Sequence, residues 1–292
     1  RELQQFAIEN HEKNILLIAQ TGSGKTEAAL LWIGAEKGFI TLPLRVSINA
    51  MYKRIKSRED IGFEYTSLLH SGAFDYLLMD EEIEMRFEDV TQQMNYTKLL
   101  SSKLTLTTID QIFKFPLLYK GFERELATLA YSKIVIDEIQ AYNPHIVAIL
   151  IHGLEMLSQL GGKWMIMTAT LPTIFEDELR KRKLLSESTT VVKTILIPDD
   201  HDNNIKDSVP RRHKIKLLDK SILDSVEEIK EKAQNAKVLV VVNTVQRAIK
   251  LYDAFVAEDN YIQLLHSQFI ARDRSVKETA IKQFGQLIDK QP

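Results

Sequence analysis

The chain has 292 residues, contains no cysteine and carries a formal net charge of −2. These values exclude disulfides and thiolate metal sites, and they fit a reducing, cytoplasmic setting. No apolar run approaches the ~20 residues that a membrane helix needs, and the first residues lack signal-peptide character, so we expect no membrane association. The charge gives no support for a basic face that coats duplex DNA, but it leaves room for a narrow single-strand track. Because the sequence does not begin with Met, we expect a fragment of a longer protein.

Short apolar runs alternate with helical patterns through the first part of the chain. The predicted strands are 15–18, 38–42, 104–107, 133–136 and 164–167. Helices are predicted over 27–32, directly after a glycine-rich turn, and over 174–185. Strands that alternate with helices are typical of parallel βαβ units, in which helices cover both faces of the sheet. The sequence therefore predicts an α/β fold built on a parallel sheet.

Regularity is lost over residues 186–220, and this change of pattern predicts a boundary between two domains, residues 1–209 and 210–292. A second alternation follows the boundary. It consists of helix 222–234, strand 237–242, helix 245–256, strand 262–265 and helix 273–284. A sheet of two strands rarely stands alone, so the second domain is predicted to be incomplete.

A faint internal echo accompanies this division. Leu68-Leu69-His70-Ser71 in the first part resembles Leu264-Leu265-His266-Ser267 in the second. Two copies of one nucleotide-binding fold would explain the echo, and coincidence would explain it nearly as well.

The glycine-rich turn, Ala19 to Thr26, fits the phosphate-loop pattern except that Ala19 replaces its first glycine. Gly22 and Gly24 can take backbone angles that point successive N–H groups inward, with Thr21 and Ser23 completing the cradle. The next helix adds its positive N-terminal end. Lys25 is expected to reach the β- and γ-phosphates of ATP, and the Thr26 hydroxyl to ligate Mg²⁺. The alternative is a chance glycine-rich turn.

A second candidate feature is the pair Asp137 and Glu138, which directly follows the apolar run 134–136. A buried strand that ends in two carboxylates is costly unless they have charge partners, and ligands bind at the carboxyl ends of strands in open α/β sheets. Asp137 is predicted to hold Mg²⁺, and Glu138 to act as the general base that activates water. Taken alone, the pair would be read as a surface turn.

Together these segments resemble the superfamily 2 helicases. The phosphate loop, Asp-Glu-Ile-Gln at 137–140 and Thr-Ala-Thr at 168–170 follow in the order of that superfamily. The longer forms resemble the helicase portion of the type I CRISPR helicase–nuclease, over about residues 1–285. The discriminating segments are Asp-Glu-Ile-Gln-Ala-Tyr at 137–142 and Thr-Ile-Asp-Gln at 108–111. The resemblance implies a RecA-like helicase domain followed by a second, incomplete RecA-like domain.

The resemblance also implies roles for individual residues. Gln4 would recognise adenine, although a lone Gln near a terminus is as often solvated. Thr168 and Thr170 would couple ATP hydrolysis to strand movement, the alternative being ordinary hydroxyls at a strand end. Strand contacts are expected from groups that bind phosphates without reading bases. The candidates are Arg45, Ser47, Asn49, Thr108, Gln111, Asn243, Thr244, His266 and Ser267, each of which could instead be a helix-cap or strand-end residue.

The function that the resemblance implies is an ATP-dependent helicase motor that translocates on single-stranded DNA in CRISPR interference. Its expected partners are single-stranded DNA, a CRISPR RNA-guided surveillance complex and a nuclease domain, fused or separate. Two alternatives stay open. One is another superfamily 2 helicase, acting in DNA repair or on RNA. The other is a nucleotide-dependent binding module without turnover.

Two features of the family have no match in this sequence. The nuclease uses a His-Asp dipeptide with further ligands, whereas the dipeptide here, His201-Asp202, lies in a polar stretch that predicts a solvated loop. The arginines of the last helicase motifs are also missing, and Arg247 and Arg272 are poor substitutes. Because such arginines are worth about 10³–10⁵ in turnover in related enzymes, we expect this chain alone to bind nucleotide, hydrolyse it weakly and not unwind a duplex.

Overall fold

The structure is a computed structural model that describes residues 2–57, 63, 65–79, 85–195, 215–256 and 262–286. The chain divides into two compact units, residues 1–209 and 210–292. Within the described residues, no helix combines the length and apolar character needed to cross a lipid bilayer.

The first unit alternates strands and helices along the chain. Its strands are β1 (Asn14–Ala19), β2 (Gly38–Thr41), β3 (Thr66–Leu69), β4 (Leu104–Thr107), β5 (Lys133–Asp137), β6 (Lys163–Thr168) and β7 (Thr190–Ile195). Its helices are α1 (Glu2–Glu9), α2 (Lys25–Ile33), α3 (Arg45–Lys56), α4 (Ala73–Met79), α5 (Phe87–Lys98), α6 (Ile109–Ile112), α7 (Phe122–Ala130), α8 (Pro144–Gln159) and α9 (Thr173–Lys181). The seven strands form one sheet in the order β3-β4-β2-β5-β6-β1-β7, and every pairing is parallel.

The five strands predicted from apolar runs are all confirmed, and two more lie at the edges of the sheet. The prediction that residues 186–220 lose regularity was wrong for β7, which pairs with β1 along its whole length. Because β7 lies at an edge, its side chains alternate between more and less buried positions, and it lacks a continuous apolar run. The other edge strand, β3, begins with two buried hydroxyl residues, Thr66 and Ser67, that hide it from a hydropathy pattern.

The core lies on both faces of the sheet because successive side chains of a strand point to opposite sides. Ile15, Leu17 and Val135 contribute to the cluster on one face, and Leu16 and Ile136 to the cluster on the other. Parallel pairing brings the carboxyl ends of all strands to one edge. The residues that follow β1, β2, β3, β4, β5 and β6 therefore emerge along that edge.

A buried lysine lies at the opposite edge of the sheet, where the strands begin. Lys133 begins β5 and its side chain is 1% exposed. Its Nζ donates to the Trp32 carbonyl at 2.6 Å and pairs with Glu36 at 2.8 Å. The ammonium also lies 5.0 Å from the centroid of the Trp32 ring. The buried lysine thus ties the first residue of a central strand to the end of α2.

The second unit is helical in its described residues. A short 3-10 turn over Ile222–Ser225 precedes α10 (Val226–Ala233), which is followed by α11 (Val245–Val256) and α12 (Ala271–Gln286). The strands predicted over 237–242 and 262–265 were wrong, since the structure assigns no strand there. A strand exists only through hydrogen bonds to a neighbour, and neither segment has a paired partner among the described residues. Leu239 and Val241 are accordingly 85% and 78% exposed.

The buried lysine generates a stability prediction. Lys133→Ala leaves the Trp32 carbonyl unpaired and opens a cavity, so it should lower the free energy of unfolding by about 2–4 kcal/mol. Lys163, opposite Lys133 in the register, is half-buried and has no ion pair in the described part of the chain, so Lys163→Ala is the control and should cost less than about 0.5 kcal/mol. The measurement is urea denaturation followed by tryptophan fluorescence, because Trp32 and Trp164 both lie in the first unit. Equal losses in the two variants would contradict the assigned role.

Candidate active site

The phosphate loop lies between β1 and α2, as the sequence predicts. Gly22 and Gly24 adopt left-handed backbone angles, with φ of 83° and 92°. The Ser23 N–H donates to the Gln20 carbonyl at 3.2 Å, which closes the turn before α2 begins at Lys25. Glycine tolerates these angles without strain.

Several polar groups of this loop have no partner among the described residues. No acceptor takes a hydrogen bond from the backbone N–H groups of Gly22, Gly24, Lys25 and Thr26, and the buried Ser23 Oγ is also unpaired. Successive unpaired amides at the start of a helix form an anion-binding concavity. The loop therefore offers donors of the kind that phosphate oxygens require.

Lys25 is buried within this arrangement, with only 8% of its surface exposed. Its Nζ donates to the Ala19 carbonyl at 2.7 Å and lies 3.4 Å from Glu138 Oε1. A buried ammonium needs such partners because desolvation is costly. The two bonds hold the charge between the loop and the end of β5.

The two carboxylates at the end of β5 differ in electrostatics. Burial raises the pKa of Asp137 to about 7, the neighbouring Glu138 adds to the rise, and Lys25 opposes it. Burial also raises the pKa of Glu138, but hydrogen bonds from Gln140 and the Ala169 amide, together with Lys25, outweigh it and leave the pKa lowered. Two adjacent carboxyls with diverging pKa values are typical of sites in which each has its own task.

Gln140 joins this pair to β6, and sequence reasoning gave it no role. Its Nε2 donates to Glu138 Oε2, and its Oε1 accepts from the buried Thr168 hydroxyl at 2.5 Å. The same hydroxyl also lies 2.6 Å from the Thr170 carbonyl, so its single proton is shared between two acceptors. Its position, two residues after the predicted general base, was the sequence signal that could have indicated a role. The two predicted coupling residues differ in exposure, because Thr168 is buried and Thr170 is exposed.

The backbone at Glu138 takes the left-handed conformation, with φ of 52°. Its N–H donates to the Met167 carbonyl at 2.9 Å, and its own carbonyl accepts from Ala141 at 2.9 Å. A residue other than glycine in this region costs roughly 1–2 kcal/mol. These bonds, together with those to the side chain, hold the residue there.

Gln4 lies on α1, behind the phosphate loop. Its Nε2 is 3.5 Å from the Gly24 carbonyl, and a Cβ at Gly24 would lie 2.6 Å from the same nitrogen. The other end of the side chain, Oε1, is buried without a partner among the described residues. The structure thus places Gln4 against the loop, with one polar atom left for another group.

The residues fit the Mg²⁺ that the sequence predicts. Asp137 Oδ1 is buried and has no hydrogen-bond partner in the described part of the chain. Oxygen ligands such as this carboxylate and the Thr26 hydroxyl are what Mg²⁺ prefers. No group of three or more His, Asp or Glu among the described residues could hold a metal by itself. A Mg²⁺ here would therefore take its remaining ligands from water or from a bound nucleotide.

The strand-contact candidates of the first unit lie on the segments that follow β2 and β4. Arg45, Ser47 and Asn49 are on the first turns of α3. Thr108 precedes α6 without capping it, and the Gln111 amide donates to the Asp110 carboxylate at 2.6 Å. Both segments leave the carboxyl edge of the sheet, so the structure brings these five residues to the same edge as the phosphate loop.

A cleft of about 590 Å³ opens beside the carboxylates. One wall is the β2–α3 segment, including Ser47 and Arg54, and the other is formed by Asp137, Glu138 and Gln140. The cleft thus lies between Ser47, one of the strand-contact candidates, and the two carboxylates at the end of β5.

The candidates of the second unit make local contacts. The Thr244 hydroxyl accepts from the Arg247 N–H at 3.3 Å and so caps α11, and Asn243 Oδ1 accepts from the Arg247 side chain at 3.3 Å. His266 Nδ1 accepts from the Gln268 N–H at 3.2 Å, while Ser267 is exposed. For Thr244 the structure therefore shows the helix-cap role that was the alternative to strand contact. The solvated loop predicted at His201-Asp202 lies outside the described residues.

The pattern of the DEAD/DEAH box helicase family matches residues 1–178, which include the phosphate loop, the carboxylate pair and Thr168-Ala169-Thr170. The chain belongs to that family. The pattern described as CRISPR-associated nuclease/helicase Cas3, C-terminal, matches residues 234–291 of this DEAD/DEAH box helicase. The predicted resemblance to superfamily 2 helicases of the CRISPR type is thereby confirmed.

Curated relatives extend the similarity along the helicase. The CRISPR-associated nuclease/helicase Cas3 of Methanothermobacter thermautotrophicus is 33% identical over 284 residues, which cover 94% of this chain and 33% of the relative. The protein of the same name from Streptococcus thermophilus is 28% identical, covering 92% of this chain and 34% of its own length. The chain therefore spans about a third of these relatives.

Solved structures confirm the fold of this helicase. The crystal structure of T. fusca Cas3 with AMPPNP has a TM-score of 0.71 at 23% identity, covering 96% of this chain and 37% of that one. The crystal structure of T. fusca Cas3 with ADP has a TM-score of 0.69 at 22% identity, covering 96% of this chain and 37% of that one. The RecA-like α/β architecture predicted from the sequence is thus confirmed.

The raised pKa of Asp137 predicts a stability effect in the absence of Mg²⁺. Between about pH 4 and pH 7 the folded protein holds a proton on Asp137 that the unfolded chain has lost, so this residue lowers stability as pH rises. Asp137→Asn cannot ionise. The variant should therefore be more stable than the wild type near pH 8, and the difference should shrink toward pH 4. Urea denaturation at a series of pH values with EDTA present measures this, and a gap that does not change with pH would contradict the assignment.

Proposed function

We propose that the chain is the ATP-dependent motor of a helicase that translocates on single-stranded DNA in CRISPR interference. One observation carries the proposal. A continuous series of polar contacts runs from Lys25 to Glu138, then to Gln140 and Thr168. The series joins the loop that would hold the nucleotide phosphates to the end of β6. A change at the phosphates can therefore be transmitted to that segment through side chains already in contact.

The chemistry is hydrolysis of ATP between the phosphate loop and the carboxylate pair. The unpaired amides of Gly22, Gly24 and Thr26 would bind phosphate oxygens, and Lys25 would exchange part of its contact with Ala19 and Glu138 for the β- and γ-phosphates. Asp137 and Thr26 would hold Mg²⁺, which supplies positive charge to the phosphates when bound. Glu138, kept ionised by its lowered pKa, would orient the attacking water and accept its proton.

The nucleic-acid strand would bind along the carboxyl edge of the sheet. Arg45, Ser47, Asn49, Thr108 and Gln111 offer cationic, hydroxyl and amide groups there, and such groups bind the phosphate backbone without reading bases. A motor that moves along any sequence needs this indifference. In the second unit, Asn243, His266 and Ser267 are proposed for the same role.

The CRISPR-associated relatives suggest the partners. We propose that the motor works with an RNA-guided surveillance complex and with a nuclease domain, fused or separate. The similarity to proteins named nuclease/helicase supports this pairing. A nuclease site is not proposed for the described residues, which contain no metal-binding cluster.

A pair of variants tests the chemistry. Glu138→Gln keeps size and removes the base, so ATP hydrolysis should fall about 10²–10⁴-fold while nucleotide affinity is retained. Lys25→Ala removes a charge on the phosphates, so hydrolysis should fall at least about 10²-fold and affinity should fall with it. Phosphate release and titration with a fluorescent ATP analogue separate the two effects.

The matched control is Glu187→Gln, at an exposed carboxylate, which should leave both quantities unchanged. Assays with single-stranded DNA and RNA at equal salt test the substrate, and stronger stimulation by RNA would favour an RNA helicase. Tight nucleotide binding by the wild type with no turnover under any condition would contradict a motor and favour a binding module.

Gln140 offers a test through pH. Its hydrogen bond lowers the pKa of Glu138, so Gln140→Leu should raise that pKa. Because Glu138 must be ionised to act as a base, the acid limb of the ATPase pH profile should move to higher pH. Gln159→Leu, an exposed position at the end of α8, is the control. A profile that keeps its acid limb while kcat falls would show that Gln140 does not act through Glu138.

A further inference from the structure

His70 is a buried titratable residue that the mechanism above does not use. It follows β3 directly and is 4% exposed. Its Nδ1 accepts from the Gly72 N–H at 3.2 Å, and its Nε2 lies 2.9 Å from Asn49 Oδ1 on α3. The ring thus spans from the turn after β3 to the helix that follows β2.

The two contacts fix the tautomer of the ring. A backbone N–H can only donate, so Nδ1 must be the acceptor and carries no proton. In a neutral imidazole the proton then lies on Nε2, which donates to Asn49 Oδ1. Burial lowers the pKa of His70, Arg45 lowers it further and Asp110 opposes them, so the ring is neutral near pH 7.

The tautomer in turn fixes the orientation of the Asn49 amide. Because Nε2 donates, Asn49 must present its oxygen to His70, and its Nδ2 keeps two N–H donors. No acceptor among the described residues takes a hydrogen bond from Nδ2. Two donors on one nitrogen suit the oxygens of a phosphodiester.

A cation lies beside this pair. A Cβ at Gly72 would be 3.7 Å from Nη1 of Arg45 and 3.8 Å from His70 Nδ1, so the guanidinium lies next to the turn. Arg45 forms no ion pair within the described part of the chain. A guanidinium and an amide nitrogen, neither with an acceptor among the described residues, lie together where the strand is proposed to bind.

We propose that His70 is a positioning residue that locks the Asn49 amide so that Nδ2 donates to a phosphate oxygen of the translocated strand. The inference rests on the proposed function, since it names how one strand contact is held. His70 itself does not touch the strand. It acts by removing the rotational freedom of the amide, which would otherwise present its acceptor as readily as its donors.

Of the two contacts that His70 makes, with Gly72 and with Asn49, one has a counterpart in the second unit. His266, in the echoed Leu-Leu-His-Ser segment, also accepts at Nδ1 from the N–H two residues later, at 3.2 Å. Its ring stacks on Phe269, with centroids 4.2 Å apart. The bond to the following turn therefore recurs in both units, whereas the bond to an asparagine belongs to His70.

Two substitutions separate these contacts in the complete chain. The amide nitrogen of Gln at position 70 can replace Nε2, so His70→Gln keeps the donor to Asn49 and loses the acceptor for Gly72. In His70→Asn the amide oxygen of the shorter side chain can take the place of Nδ1. This variant therefore keeps the bond from the turn and loses the bond to Asn49. A third variant, Asn49→Asp, keeps the oxygen that His70 needs and replaces the two donors with a charged acceptor.

Fluorescence anisotropy measures the affinity of each variant for a fluorescein-labelled oligodeoxythymidine. The affinity for a fluorescent ATP analogue is measured in parallel. Loss of one hydrogen bond to a charged group corresponds to roughly 10- to 100-fold. We expect His70→Asn and Asn49→Asp to bind the oligonucleotide that much more weakly, His70→Gln to stay within about threefold of the wild type, and nucleotide affinity to be unchanged in all three.

If His70→Asn kept its affinity for the oligonucleotide and His70→Gln lost it, the bond to the turn would be the one that matters for strand binding. That result would overturn the inference. Equal loss, or no loss, in both His70 variants would overturn it as well. In each of these cases the wild type still binds the strand, so the proposed function stands. A wild-type chain that binds nucleotide but no strand would overturn both.

Discussion

The parallel register of β5, β6 and β1 sets the distances at the candidate site. Asp137 at the end of β5 lies opposite Met167 in β6. Thr168 at the end of β6 lies opposite Ile18, the residue before Ala19, where β1 ends. Three segments with different tasks therefore leave the sheet side by side. A slip of one residue in any pairing would turn the side chains at that strand end to the opposite face and separate Lys25, Glu138 and Thr168.

The contacts among Lys25, Glu138 and Thr168 are strengthened by the low solvent exposure of Lys25 and Thr168. Lys25 and Thr168 are buried, so their polar atoms have little contact with water. Charges in such surroundings interact more strongly than at the surface, and unpaired groups are correspondingly costly. The phosphate-loop amides, Ser23 Oγ and Asp137 Oδ1 have no partner among the described residues, which lowers the stability of the ligand-free protein. A bound ligand could supply the missing partners.

Much of the first unit could be predicted from sequence because its central strands are buried on both faces. Continuous apolar runs such as 134–136 and 164–167 predict such strands, and the polar residues that follow them predict the site. The edge strands β3 and β7 could not be found in this way, since half of each pattern is polar. In the second unit, 237–242 has the composition of a strand, but composition does not supply the neighbour that a strand requires.

The site residues also divide into those that a local sequence pattern predicts and those that it does not. The phosphate loop and the carboxylate pair follow a local pattern, because the backbone geometry they need lies within a few consecutive residues. Gln140 and His70 were not predicted because they contact Thr168 and Asn49, which lie 28 and 21 residues away in sequence. Such pairings arise from the order of strands in the sheet, which local patterns do not encode.

The left-handed backbone at Glu138 bears on how this protein can be engineered. The corner after β5 combines an unfavourable dihedral angle at Glu138 with a buried carboxyl at Asp137. If the two carboxylates act as proposed, random libraries screened only for heat resistance would enrich replacements at this corner and yield stable proteins without ATPase activity. Selection for durability has to be paired with a screen for turnover, or residues 137 and 138 have to be kept constant from the outset.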